Sequence, residues 1–85
     1  MNRRVELLTR DGCTICAGAA TQLKRLSDEL GFELHITDVD AVAATGDCAL
    51  RAEFGDRLPV VLLDGNEHSY WEVDEPRLRA DLQNR

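Results

Sequence analysis

Two cysteines separated by two residues, in the run Cys13-Thr14-Ile15-Cys16, constrain this chain more than any other feature. A short apolar run at residues 5–8 and a turn pair at residues 11–12 precede them, and a helical pattern follows them as far as Gly31. A strand, a turn, a Cys-x-x-Cys pair and a helix in this order are typical of a thiol–disulfide redox site.

The physical reason lies in the predicted position of Cys13 at the start of that helix. There its sulfur faces unpaired backbone N–H groups and the positive end of the helix dipole. Both favour the thiolate, and Cys-x-x-Cys thiols at such positions have pKa values about 1 to 5 units below that of a free cysteine. Cys16 lies one turn further along the same side of the helix, close enough to form a disulfide with Cys13. The pair is therefore predicted to be a reversible two-electron switch.

The composition predicts one small domain spanning residues 1–85, since 44% hydrophobic and 31% charged residues are ordinary for a soluble protein. The net charge of −6 argues against nucleic acid and anionic membranes as partners, because both attract a basic face. No run approaches the ~20 apolar residues of a membrane span, and no signal-peptide pattern follows Arg3 and Arg4. We therefore expect a cytoplasmic monomer, in which cysteines are more often catalytic or metal-binding than part of a structural disulfide framework.

The first half of the chain predicts a strand, a helix and a second strand. Residues 3–9 form an apolar strand pattern, and residues 32–38 alternate, with Phe32, Leu34 and Ile36 expected on one side. Between them the sequence predicts a helix that ends at Gly31. Helical spacing predicts that its buried apolar stripe comprises Ile15, Ala19, Leu23, Leu26 and Leu30.

The second half predicts a helix, a hairpin and a last helix. A helix is expected over residues 45–54, after a solvated loop that carries Asp38 and Asp40. A strand is expected to start at Pro59 because proline cannot donate to a ladder, and the turn at residues 64–66 leads to a returning strand over residues 67–72. Asp74 is a good N-cap for the last helix. The order is β-α-β-α-β-β-α, an α/β fold with a four-stranded mixed sheet flanked by three helices.

The chain at this point resembles the glutaredoxin-like branch of the thioredoxin fold. The residues that carry the resemblance are the strand–Cys-x-x-Cys–helix segment, the strand start at residues 58–60 and the hairpin turn at residues 64–65. The resemblance implies that Cys13 is the nucleophile and Cys16 the resolving cysteine. It further implies that Pro59 is a cis-proline facing the site, with the backbone of Leu58 pairing with an extended substrate.

Two departures from the family pattern bear on the substrate. Thr14 stands where this fold often has proline, and it restores a backbone donor beside the cysteine. Many glutaredoxins hold glutathione with a Gly-Gly pair after the hairpin, whereas this chain has Ser69-Tyr70 near that place, and side chains crowd a backbone-lined site. We expect no resident cofactor, and glutathione is a possible co-substrate against which this departure argues.

Two hypotheses follow for the function. The first is a dithiol oxidoreductase that reduces disulfides of proteins or small thiols and is reset by a thioredoxin reductase system or by glutathione. The second is a non-catalytic adaptor, or a metal or iron–sulfur carrier, that uses the same cysteines. A structural zinc site needs four ligands, and the sequence offers no second paired ligand set, so no metal is expected.

The remaining candidates are weaker. Cys48 is interpreted as a partly exposed bystander, with modification of its thiol as the alternative. His35 and His68 are expected at the surface. Arg10 flanks the site and is interpreted as a lone surface arginine, with attraction of a thiolate or a glutathione carboxylate as the alternative. Tyr70 and Trp71 are expected to pack under the last helix or to line the substrate groove.

Overall fold

The computed structural model describes residues 3–83 of the chain. Four strands and four helices follow one another in the order β1 (Arg4–Thr9), α1 (Thr14–Leu30), β2 (Glu33–Asp38), α2 (Val39–Ala44), α3 (Ala49–Phe54), β3 (Val60–Leu63), β4 (Asn66–Tyr70) and α4 (Glu75–Gln83). The predicted α/β class and the four-stranded sheet are confirmed.

The sheet has the strand order β2-β1-β3-β4 and is mixed. β1 runs parallel to β2 and antiparallel to β3, and β3 and β4 form the predicted hairpin. β1 ends and β3 begins at the same end of the sheet, with Leu8 opposite Val60. The segment after β1 and the segment before β3 therefore lie close to each other. These two segments carry Cys13 and Pro59.

Alternating side chains of the strands build a core on each face of the sheet. On one face Val5 and Leu7 of β1 pack with α1 and with Leu78 of α4. On the other face Leu8 packs with Phe54 of α3 and with the first residue of α2. The sheet is thus the middle of three layers, and the apolar side chains of its central strands are buried on both faces.

Helix α1 begins and ends where the sequence predicts. Gly31 ends it with φ +78°, and the N–H of Gly31 donates to the carbonyl of Ser27 at 2.8 Å. The buried residues of α1 are Cys16, Ala19, Leu23 and Leu26. The prediction that Ile15 belongs to this stripe was wrong, because its side chain is 66% exposed and Cys16 occupies the buried position of the first turn.

The segment between β2 and β3 differs from the prediction of one helix over residues 45–54. The chain enters α2 directly after β2, because the carboxylate of Asp38 accepts the N–H groups of Asp40 and Ala41 at 2.8 and 3.1 Å and so caps this helix. Gly46, with φ +106°, then separates α2 from α3. Asp38 and Asp40 are therefore part of a helix start, which corrects their placement in a solvated loop.

Helix α4 is held to α1 by its first turn. Asp74 caps it, accepting the N–H of Arg77 at 3.3 Å, as predicted. The carboxylate of Glu75 accepts hydrogen bonds from Gln22 and Arg25 of α1, each at 3.0 Å. These bonds fix α4 against α1 on one face of the sheet. None of the helices within residues 3–83 has the length and apolarity needed to span a bilayer.

Candidate redox site

Cys13 and Cys16 meet at the N-terminus of α1. Cys13 is the N-cap residue, with extended backbone angles, and Cys16 lies in the first turn. Their Cα atoms are 5.2 Å apart and their sulfurs are within disulfide-bonding distance. Cys16 is only 1% exposed, whereas Cys13 is half-buried. The predicted juxtaposition of the two thiols is present, and Cys13 carries the more accessible sulfur.

Backbone groups of the first helical turn surround the Cys13 sulfur. The N–H of Cys16 donates to Cys13 Sγ at 3.1 Å, so the sulfur fills the role that a side-chain oxygen plays in an ordinary N-cap. The carbonyl of Cys13 accepts the N–H of Ala17 at 3.1 Å, which begins the helix. A donor hydrogen bond and the positive helix end both favour the ionised form of such a sulfur.

A tight turn delivers Cys13 to this position. Gly12 has φ +80°, a conformation that side chains disfavour, and the N–H of Cys13 donates to the carbonyl of Arg10 at 3.3 Å. The turn reverses the chain between the end of β1 and the start of α1. The glycine of the sequence motif is thus required by the backbone.

The Arg10 side chain binds Asp40 in the first turn of α2. Its Nε and Nη2 atoms donate to the two carboxylate oxygens of Asp40 at 2.7 and 3.2 Å. This hydrogen bond lowers the pKa of Asp40 from its ordinary value and raises that of Arg10. Arg51 approaches the same carboxylate at 3.9 Å. Arg10 is therefore paired with Asp40, which corrects its interpretation as a lone surface arginine.

A shallow depression of about 280 Å³ lies beside the two cysteines. Ala17 and Ala20 of α1 and Ile36 of β2 provide its apolar walls. Ile36 is 43% exposed. Periodicity alone offers no signal for this wall, since the alternation of β2 predicts only which face Ile36 lies on. The remaining described residues that line the depression are Thr9, Arg10, Asp11, Gly12, Cys13, Cys16 and Asp38.

The predicted substrate contacts lie around the same end of the sheet, and they are Thr14, Leu58 and Pro59. Thr14 is exposed and lines the surface next to Cys13. The Leu58–Pro59 peptide is cis, Pro59 is buried, and the carbonyl of Pro59 accepts the N–H of Trp71 at 2.7 Å. Leu58 packs partly against the core between the sheet and α3.

Trp71 and Tyr70 correct another prediction. Trp71 is 60% exposed with φ +68° and follows β4 instead of belonging to it, and Tyr70 is 47% exposed. Their rings contact each other edge to face, with centroids 5.0 Å apart. Neither packs under α4. The hydrogen bond from Trp71 to Pro59 places this aromatic pair next to the start of β3.

The histidines divide. His35 is half-exposed and lies 3.0 Å from a Glu33 oxygen. His68 is buried, 6% exposed, and its Nε2 forms a 2.7 Å hydrogen bond with Asp81 of α4, so its prediction as a surface residue was wrong. The cause is a register shift between β3 and β4 that leaves His68 without a partner in β3 and turns it toward α4.

Cys48 is exposed and outside any disulfide within residues 3–83, as predicted. Its sulfur lies 3.9 Å from Arg51 Nη2 at the start of α3. Within the same described residues, no group of three or more histidine, cysteine or acidic side chains is arranged to hold a metal ion.

Comparison with known protein families decides where the chain belongs. The family model described as a glutaredoxin-like domain, DUF836, matches residues 4–83. The chain belongs to this glutaredoxin-like family. Uncharacterized proteins of Mycobacterium bovis and Mycobacterium tuberculosis are 70% identical to it over 79 residues, covering 93% of this chain and 81% of each relative.

Solved structures agree with the fold of this glutaredoxin-like protein. A Nitrosomonas europaea protein studied by NMR superposes with a TM-score of 0.80 at 24% identity, covering 98% of this chain and 94% of that one. The thioredoxin of Fasciola hepatica superposes with a TM-score of 0.60 at 22% identity, covering 95% and 78%. At such identities the likeness concerns the fold alone, which is the thioredoxin fold.

Proposed function

We propose that this glutaredoxin-like protein is a thiol–disulfide oxidoreductase that uses Cys13 and Cys16 in a dithiol mechanism. One observation supports the proposal above all others: two sulfurs at disulfide distance lie at the start of α1, one accessible and one buried. In this arrangement the accessible thiol can attack the substrate. The buried thiol can then attack only the sulfur of the accessible cysteine.

The first step forms a mixed disulfide. The Cys13 thiolate attacks one sulfur of a substrate disulfide, so a Cys13–substrate bond forms while the substrate's own S–S bond breaks. The other substrate sulfur leaves as a thiolate and takes up a proton. The hydrogen bond from the Cys16 N–H and the helix end support the attacking thiolate.

The second step releases the substrate. Cys16 gives up its proton and attacks Cys13 Sγ, which breaks the mixed disulfide and expels the second substrate sulfur as a thiol. The protein dithiol is oxidised to the Cys13–Cys16 disulfide, and the substrate disulfide is reduced to two thiols with two electrons and two protons transferred. An external dithiol or glutathione then reduces the Cys13–Cys16 disulfide. The reductant, like the substrate, is part of what we propose.

Substrate contacts in this mechanism are assigned to Thr14, Leu58 and Pro59. Thr14 borders Cys13 on the exposed surface. Residues 58–59 precede β3 at the sheet edge where β1 leads into the Cys13 turn, which supports a role in holding an extended segment next to the sulfur. We place the reaction in the cytoplasm, with a disulfide-bearing protein or small disulfide as substrate and with the protein acting as a monomer.

Turnover of hydroxyethyl disulfide and of insulin by the purified protein tests the proposal. Reduction should be catalytic when a thioredoxin reductase system or glutathione with glutathione reductase supplies electrons. The Cys48→Ala variant, which keeps the pair, should retain the activity. Stoichiometric zinc or iron in the freshly purified protein, without turnover in either assay, would instead support the metal-carrier alternative.

A further inference from the structure

The depression beside Cys13 has apolar walls. Its walls of Ala17, Ala20 and Ile36 come from two different elements, α1 and β2, that the sheet holds in place. Its volume of about 280 Å³ is slightly below the ~300–1,000 Å³ of typical small-molecule sites. The space therefore has room for an aliphatic side chain.

The charge around the depression disfavours anions. Arg10 is the one cationic side chain among the described residues that line it, and its Nε and Nη2 atoms donate to the carboxylate of Asp40. Asp11 and Asp38 line the same depression. Counting the side chains alone, the carboxylates of Asp11, Asp38 and Asp40 outnumber the guanidinium groups of Arg10 and Arg51, which approaches Asp40 at 3.9 Å.

We propose that this depression selects the substrate: it takes the aliphatic side chain next to the reacting cysteine of a non-acidic protein segment. An apolar side chain would cover the exposed part of Ile36, which gains free energy in proportion to the buried area. An acidic neighbour would meet the carboxylates of Asp11 and Asp38. The inference rests on the proposed function and deepens it.

Symmetric disulfide dimers of one blocked peptide, acetyl-Gly-Cys-X-Gly-amide, provide the test, with X as leucine, serine or glutamate. The fully reduced protein is mixed with each dimer in a single turnover, and the loss of protein thiols is measured by alkylation and mass. We expect the leucine peptide to react about five- to tenfold faster than the serine peptide. We expect the glutamate peptide to react about two- to threefold more slowly than the serine peptide.

Variants of Ile36 assign the preference to the depression. Ile36→Thr makes this wall polar while keeping the β-branched shape that suits a strand, and it should reduce the leucine preference to about twofold or less. Ile36→Val is the matched control, similar in shape to threonine but apolar, and it should keep most of the preference. Ala52→Ser, on the exposed surface of α3, controls for polarity elsewhere.

The outcomes separate this inference from the proposed function. Equal rates for the three peptides, or an undiminished leucine preference in Ile36→Thr, would overturn the inference while the oxidoreductase proposal stands. Failure of the reduced protein to react with any dimer would overturn the oxidoreductase proposal itself.

Discussion

The guanidinium of Arg10 grips the carboxylate of Asp40 with two hydrogen bonds of 2.7 and 3.2 Å. This pair joins the turn before Cys13 to the first turn of α2, because the carbonyl of Arg10 also accepts the N–H of Cys13. The cation nearest the site in sequence is thus committed to a structural partner. The pair holds the turn in position, and the carboxylate of Asp40 offsets a positive charge that would otherwise attract an anionic disulfide.

Replacement of Asp40 by asparagine should release this charge. Asp40→Asn removes the carboxylate that engages Arg10, so we expect glutathione disulfide to gain about two- to threefold in rate relative to uncharged hydroxyethyl disulfide. The ratio of kcat/KM for the two substrates measures the effect, and it should fall with added salt. Asp56→Asn changes an exposed carboxylate that pairs with Arg57, far along the chain, and is the control. An unchanged ratio in Asp40→Asn would show that Arg10 has no influence on the preference between charged and uncharged substrates.

The two cysteines should differ when each is replaced by serine. Cys16→Ser should trap a covalent complex with a protein disulfide substrate, because the attacking sulfur remains and the resolving sulfur is gone. Cys13→Ser should trap none and should lose at least about a hundredfold in rate, since the nucleophile itself is missing. Non-reducing electrophoresis and mass spectrometry detect the complexes. Equal trapping by the two variants would contradict the assigned roles.

The acidity of the Cys13 thiol is a separate prediction. In a Cys16→Ser, Cys48→Ala protein, the rate of alkylation of Cys13 by iodoacetamide should rise with a midpoint about 1 unit or more below the ~8.5 of a free cysteine. The start of α1 causes the shift, so the same protein unfolded in denaturant should lose it. A common midpoint in the folded and unfolded proteins would remove the thiolate argument and leave only the arrangement of the sulfurs.

The contact between α1 and α4 should make stability depend on pH. Hydrogen bonds from Gln22 and then from Arg79 lower the pKa of Glu75 below its ordinary value. A carboxyl group with a depressed folded-state pKa stabilises the fold above its unfolded pKa, and this contribution is lost as the pH falls through the folded pKa. Glu75→Gln should therefore lower the free energy of unfolding near pH 7, and the difference from the parent should disappear as the pH falls through the lowered folded-state pKa of Glu75.

Urea unfolding at a series of pH values, followed by circular dichroism, measures that difference. Glu53→Gln is the matched control, because Glu53 is exposed on α3 and away from the contact. If the deficit of Glu75→Gln stayed constant down to acid pH, its charge would not be the cause.

Regular patterns made the framework predictable. The spacing of Leu23 and Leu26, the stop at Gly31 and the capping by Asp74 depend on local chemistry that the sequence displays directly. The placement of the two cysteines at the start of α1 follows from the same local chemistry. What these thiols do remains a prediction for the experiments above.

The failures of prediction gather where elements meet. Ile15 follows the periodicity of the buried stripe of α1, yet it is 66% exposed, and Ile36, on the side of β2 that also carries Leu34, is 43% exposed. The burial of His68 at a register shift depends on tertiary context. The capping of α2 by Asp38 is by contrast local, since its carboxylate accepts the N–H groups two and three residues further along the chain. Local rules commonly fail at functional sites, and Ile36 belongs to the depression beside Cys13.

The register shift at His68 also affects how copies of the protein meet. β4 is one of the two outer strands of the sheet, and an even outer strand offers a row of N–H and C=O groups to which another chain can add. The extra residue in β4 interrupts that row and bends the strand. The hairpin thereby protects the molecule against edge-on aggregation at the side of the sheet farthest from β2.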